Sequence, residues 1–297
     1  MTMREGLDAG VLDLEPVAPL TGPFPRRPFL GPWAEHRGVT PTVVDHGDAA
    51  VVLWDDDGVT RFAGEPDLTD YHSPLGTGVE ALAASLPGLL GPGTRLVLDS
   101  LPEEAARPLA AGLTGAGVEP TMEQHEVAAV LALGDTHDDY LAGLDKKQRH
   151  EVRRKGRRFA EAYGEPVLER DAGRLGLFVD MHRAAPGDKG DFMTDDMVIF
   201  FEALLDAGFG LDLLVGGDGT VVAAGVGYED DDAYYLYNSA FDPEAGHASP
   251  GVILVDSLIA QAIDGGRRRF DFLKGDEVYK FRLGAEERPL YVVEAAW

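Results

Sequence analysis

Between residues 211 and 273 the sequence alternates in a way that leaves few folds open. Residues 211–215 read as a strand, Gly216-Gly217-Asp218-Gly219 as a tight turn, and 221–228 as the hairpin partner. Asp230-Asp231-Asp232 turns the chain again into a third strand run at 233–240. A helical pattern covers 250–263 and stops at Gly265-Gly266, after which 269–273 is a strand of the buried type. A meander that passes through one helix into a further strand predicts a mixed sheet with helices on its faces. The earlier half alternates more loosely. Strand runs fall at 42–44, 49–54, 59–62, 95–98 and 126–133, and helical runs at 79–90 and 102–116. The expected class is α/β (α+β).

At 297 residues the chain suggests two lobes. The expected divisions are an arm over 1–40, a first lobe over 41–135 and a second over 136–297. The arm holds Pro23, Pro25, Pro28 and Pro32, and proline removes backbone donors, so this part reads as a loosely ordered leader or wrapping segment. Residues 138–163 form the longest helical segment. Leu141, Leu144, Gln148, Val152, Phe159 and Tyr163 lie near one stripe of it. Its other faces carry Lys146, Lys147, Arg149, Arg153, Arg154, Lys155, Arg157 and Arg158.

That basic run stands out because the chain has 52 acidic and 26 basic side chains, a formal net charge of −26. A general DNA binder needs a basic surface to displace phosphate counterions, so that class is set aside. With no cysteine, disulfides, thiolate zinc sites and a Cys nucleophile are excluded. The eight histidines lack metal-ligand spacing with carboxylates, so no metal is expected. Neither a signal-type apolar run at the start nor a stretch near the ~20 apolar residues of a membrane span is present, which predicts a cytoplasmic protein.

The chemistry concentrates in residues 234–284. Ser249 suits an N-cap, Pro250 the first helical position, and Gly251 a close approach of ligand to backbone. The free amides and the dipole of such a turn suit a diphosphate, although a purely structural cap reads the same way. Downstream come Phe270-Asp271, Gly275-Asp276 and Tyr279-Lys280. This order resembles the C-terminal half of the GNAT acyltransferase superfamily, and in particular its CelD-like and FemAB-like branch. The basic run at 146–158 and, more weakly, Asp70-Tyr71 are similar to that branch too. The likeness covers about 125–297, and 41–125 only loosely.

The resemblance implies a GNAT fold, as two GNAT-like lobes in tandem with mixed central sheets, the first lobe degenerate. It implies an acyl-CoA, such as acetyl-CoA, lying where the strands 233–240 and 269–273 splay apart. Its pantetheine arm would pair with Asn238, Ser239 and Ala240, and its diphosphate would meet Ser249, Gly251 and Val252. His247-Ala248-Ser249-Pro250-Gly251 stands where the usual GNAT phosphate loop would be. Asp271 is a candidate base or orienting group, with pairing to Lys280 as its plain alternative. Tyr279 is a candidate proton donor to the leaving thiolate. Lys280 could hold a phosphate or carbonyl oxygen, or serve only as an ion-pair partner. Tyr237, Asp242, Lys274 and Asp276 are candidates for the amine acceptor, which could be a small molecule, an amino sugar or a peptide. Strict alternation would place Tyr237 and Asn238 on opposite faces, so that only one faces the cleft. His182-Arg183 and Pro186-Gly187-Asp188-Lys189-Gly190 after them read as a surface loop, or as a polar loop where an acceptor could enter. With no Cys and no Gly-x-Ser-x-Gly elbow, transfer would be direct. Two other functions stay open, an aminoacyl-tRNA-dependent transferase of FemAB type and a catalytically degenerate GNAT-fold binding protein.

Overall fold

A computed structural model describes residues 2–7 and 10–297. The chain forms two compact units, one of residues 1–128 with 287–297 and one of residues 129–286.

The first unit opens with β1 (Thr2–Glu5), followed by α1 (Arg27–Arg37), β2 (Thr42–His46), β3 (Ala49–Asp56), β4 (Val59–Phe62) and β5 (Leu75–Gly76). Next come α2 (Val79–Leu90), β6 (Arg95–Pro102) and α3 (Glu103–Gly115), and then β7 (Thr121–Ala132), which ends in the second unit. Strands β1 to β4 pair antiparallel in sequence, and β4 then runs parallel to β6. Helices α2 and α3 pack so closely that a Cβ on Gly112 would stand 2.2 Å from the Glu80 carbonyl.

Residues 1–40 are not a loose arm, although Met1, Asp8 and Ala9 lie outside the described residues. Pro28 sits at the start of α1, where its fixed φ suits a helix, and Gly38 ends it at φ 63°. Phe24, Phe29, Leu30 and Trp33 are buried, and Trp33 meets Trp54 edge-on at 5.3 Å. Apolar burial overrides the local effect of the prolines here. Tyr71, singled out with Asp70, is a core residue with the Arg288 guanidinium over its ring.

The second unit contains α4 (His137–Gly143), α5 (Lys146–Tyr163), β8 (Val167–Arg170), α6 (Leu175–Arg183), α7 (Asp188–Phe192) and α8 (Asp195–Asp206). It continues with β9 (Gly210–Val215), β10 (Val221–Glu229), β11 (Ala233–Phe241), α9 (Pro250–Asp264), β12 (Arg269–Lys274) and α10 (Val278–Arg282). The last strand, β13 (Glu286–Ala296), lies against β6, so the chain's end belongs to the first unit rather than to the expected 136–297 lobe. The helix expected over 138–163 is broken at Leu144-Asp145. The Asp145 carboxylate caps α5 by accepting from the Lys147 and Gln148 amides at 2.7 and 2.8 Å.

In this unit β8, β9, β10 and β11 pair antiparallel and β11 pairs parallel with β12. Helix α9 is apolar nearly all round because it lies between α5 and the sheet. Ile253, Leu254, Val255, Leu258 and Ile259 join Val152 and Phe159 of α5 in one core. The opposite face carries α6 and α8, joined through Phe178 and Phe201 at 5.3 Å.

A buried carboxylate ties the strands together. Asp212 is fully buried and accepts two bonds from Arg170, at 2.8 and 3.0 Å, and one from the Tyr234 hydroxyl at 2.7 Å. Burial and the Asp212 charge hold the Tyr234 phenol well above its ordinary pKa, so it stays a donor. Asp212→Ala removes the common acceptor and is expected to cost about 3 kcal/mol, measured by urea unfolding. A loss near zero would show that Arg170 and Tyr234 find adequate partners without it.

Candidate active site

The parallel pairing of β11 with β12 is short. Ala233, Tyr234 and Tyr235 face Arg269, Phe270 and Asp271, and the ladder ends there. Tyr234 and Phe270 stack on the α9 side, with rings 5.2 Å apart and 10° from parallel. Beyond Tyr235, β11 runs on to Phe241 bonded only to β10 among the described residues. Its other edge, from Leu236 onward, has no ladder partner among the described residues.

The bend that follows the end of the ladder lies in β12 and the loop after it. The buried Asp271 carboxylate accepts the Leu273 amide at 2.8 Å, and Leu273 takes φ 63°, a left-handed conformation costly for a residue with a Cβ. Lys280, only 3% exposed, then clamps the loop. Its ammonium donates to the carbonyls of Leu273, Lys274 and Gly275 at 3.3, 2.5 and 3.4 Å and pairs with Glu277 at 2.9 Å. Lys280, expected either to hold a phosphate or carbonyl oxygen or to serve as an ion-pair partner, bonds the chain's own carbonyl oxygens. Its ion-pair partner on this loop is Glu277.

The β11 wall departs from strict alternation. Val226 faces Asn238 while Gly227 faces Leu236, so Tyr237 is the extra residue of a β-bulge. Both Tyr237 and Asn238 therefore face the α6–α8 layer. The Tyr237 ring lies 5.9 Å from Phe201 and 5.8 Å from Phe209. Asn238 Oδ1 lies 3.2 Å from His182 Nε2. The expectation of opposite faces fails because one inserted residue resets the pleat.

His182, read as surface, is 2% exposed. It sits on α6 in register with Leu175, Phe178 and Val179, a stripe that the 3.6-residue period could have revealed. Phe178 and Phe192 flank its ring at 5.6 and 5.7 Å. Burial, followed by the positive charge of Lys189, lowers its pKa, while Asn238 and the backbone of Lys189 and His182 pull the other way. Lys189 in turn feels the charge of Glu277. Tyr279, exposed on the same loop, has its phenol pushed up to about 12 by lost solvent and then by Glu277, so it is protonated at neutral pH. Lys274 is half-buried at the end of β12 and Asp276 is exposed.

At the start of α9 the expected cap is absent. Ser249 has φ 58° and ψ 48°, and its hydroxyl makes no capping bond but accepts from Arg158 of α5. The Val252 and Ile253 amides both bond the Ser249 carbonyl, at 3.1 and 3.3 Å. Val252 is thus engaged inside the turn, whereas the Gly251 amide has no backbone acceptor among the described residues. Phe241 stands over Gly251, where a Cβ would lie 3.3 Å from its ring. Asp242, expected near the acceptor, caps the 3-10 turn Pro243–Ala248 by accepting the Glu244 amide at 2.9 Å. Ser239 and Ala240 lie on β11 past the end of the parallel ladder, opposite Gly225 and Ala224.

A profile of the acetyltransferase (GNAT) domain matches residues 146–281, the stretch that holds α5, α9 and the short β11–β12 pair. Over these residues the chain is similar in sequence to a GNAT domain. The fold likeness extends beyond it. FemX shares 13% identity at a TM-score of 0.63, over 98% of this chain and 97% of its own. A conserved protein of unknown function from Bacteroides thetaiotaomicron VPI-5482 shares 13% at 0.67, over 100% of both. L-PGS from Bacillus licheniformis shares 13% at 0.60, over 92% of both. No curated protein matches the chain in sequence. Among the described residues, no helix is long and apolar enough to cross a membrane.

The loop clamp is testable. Lys280→Met keeps the buried stem but leaves three carbonyls without their donor, and is expected to cost about 2 kcal/mol. Amide exchange over residues 273–284 should speed up with it, and unchanged exchange would count against the clamp.

Proposed function

We propose that the GNAT domain moves an acyl group directly from an acyl-CoA, in the first instance acetyl-CoA, to an amine. The observation that carries this reading is the parallel pair that stops after three residue pairs. The unpaired edge of β11 offers backbone groups to an extended pantetheine arm at Asn238, Ser239 and Ala240. The diphosphate would meet the Gly251 amide and the dipole of α9, with Ser249 and Arg158 beside them. Tyr279, protonated at neutral pH, would give its proton to the departing thiolate. Tyr237, Lys274 and Asp276 would border the amine. Asp271 would act by holding the bend at Leu273 open, and Lys280 by holding the loop, rather than by touching substrate.

A second reading, an aminoacyl-tRNA donor, is favoured by one observation. The basic face of α5 carries exposed Arg153 and Arg157 and brings Arg158 onto the α9 start, in a chain of net charge −26. The shared fold with FemX fits either donor.

Calorimetry with acetyl-CoA and with aminoacyl-tRNA separates the readings. Acetyl-CoA is expected to bind, and Gly251→Trp to abolish that binding while shifting Tm by no more than a few degrees. Unchanged affinity in the variant would move the diphosphate elsewhere. Heat from neither donor would favour a binding protein without catalysis. In Asp271→Asn the side-chain oxygen can still accept the Leu273 amide. Turnover with acetyl-CoA is therefore expected to fall less than tenfold, and a larger loss at unchanged stability would make Asp271 a base.

A further inference from the structure

We propose that the exposed face of α5 is a docking strip for an acidic carrier protein, and that the acyl group arrives as a thioester on that carrier's phosphopantetheine arm. The inference rests on the pantetheine-thioester reading above and names what stands behind the phosphate, a protein rather than a free nucleotide.

The cations of α5 fall into two sets. Arg149 donates to the carbonyls of Leu141, Ala142 and Leu144, Arg154 and Lys155 pair with Glu151, and Arg158 donates to Ser249. Lys146, Lys147, Arg153 and Arg157 are exposed and have no hydrogen bond or ion pair among the described residues. Lys146, Arg153 and Arg157 stand at i, i+7 and i+11 with exposed His150 at i+4, so they share one stripe of the helix. At the α-helical rise the stripe is about 16 Å long. Exposed Glu161, a turn past Arg157, ends it.

Inside the helix this arrangement is unfavourable. Like charges four residues apart, as in Arg153 and Arg157, repel. Lys146 and Lys147 lie in the first turn, where the helix dipole disfavours cations, and no acid stands in that turn. The chain has 52 acidic side chains, yet none pairs with the stripe among the described residues. An external anion offsets both penalties.

Length and position choose the partner. The stripe runs well beyond the reach of one ribose phosphate. It leads to Arg158, which meets Ser249 at the start of α9, the place given above to the donor's phosphate. An arm tethered through its phosphate to a protein lying along α5 enters from that end. None of the exposed large apolar side chains is on α5, so the strip has nothing to insert into a lipid surface. The net charge of −26 opposes an acidic partner at long range, so the attraction is local and weakens with salt. The transfer is RCO–S–carrier + R″NH2 → RCO–NHR″ + HS–carrier. The C–N bond forms, the C–S bond breaks, and the proton lost by the amine is balanced by the one the sulfur gains.

The test uses the full chain and an acyl carrier protein of fatty-acid synthesis, prepared with and without its phosphopantetheine arm, with binding read by fluorescence anisotropy at low salt. The armless carrier is expected to bind, and Lys146→Glu combined with Arg153→Glu to weaken it about tenfold or more. Both positions are exposed and an acid in the first turn suits the dipole, so Tm should not fall. Acetyl-CoA affinity should change less than about twofold, because Arg158 and α9 are untouched. The armed carrier should bind about tenfold tighter than the armless one, since dock and arm then act together. Failure of the armless carrier to bind the wild type, or equal binding to the variant, overturns the docking strip. A variant loss seen with aminoacyl-tRNA and not with the carrier assigns the strip to RNA and overturns it as well. If acetyl-CoA does not bind and the arm adds nothing, the thioester reading and the arm fall together, while the armless carrier still decides the strip.

Discussion

Two parallel strands that begin to exchange hydrogen bonds will go on doing so unless something prevents it. Here the prevention is a positive charge placed among carbonyls. The Lys280 ammonium bonds the oxygens of Leu273, Lys274 and Gly275, the residues that would otherwise extend β12 alongside β11. Burying an ammonium is unfavourable in itself, but carbonyl dipoles and the Glu277 carboxylate compensate it. The Asp271 bond to the Leu273 amide supports the left-handed residue that starts the bend. The free edge of β11 depends on this small assembly, and so do the places of Tyr279 and Asp276 on the loop it secures.

Much of the architecture could be read from residue order. Glycine-terminated helices and turn-bounded apolar runs gave the meander, α9 and β12, and the Phe270 to Lys280 spacing pointed to the GNAT fold. The parts that could not be read share a cause. A β-bulge adds one residue with no marker in composition, so Tyr237 and Asn238 could not be placed on one face. Ser249 has the chemistry of a cap, but its backbone torsions are set by the 3-10 turn before it, and it serves Arg158 instead. Lys280 reads as a ligand-binding cation in sequence, and only three dimensions show that its donors are occupied by its own loop. The prolines before residue 40 signalled disorder locally, whereas Phe24, Phe29 and Trp33 supplied a burial term that the local signal does not contain.

Charge is distributed unevenly to match. A formal charge of −26 repels anionic partners at long range, while the exposed guanidinium groups of α5 offer a local exception.

The division of the chain has a consequence for how the protein is made. The second unit is a single stretch, 129–286, set within a first unit that is finished only by 287–297. On the ribosome the inserted body is therefore complete while its host still lacks the strand that lies along β6. The usual order, in which the N-terminal body matures first, is reversed. The earlier-synthesised part must wait, with one sheet edge uncovered, for residues 287–297 to emerge.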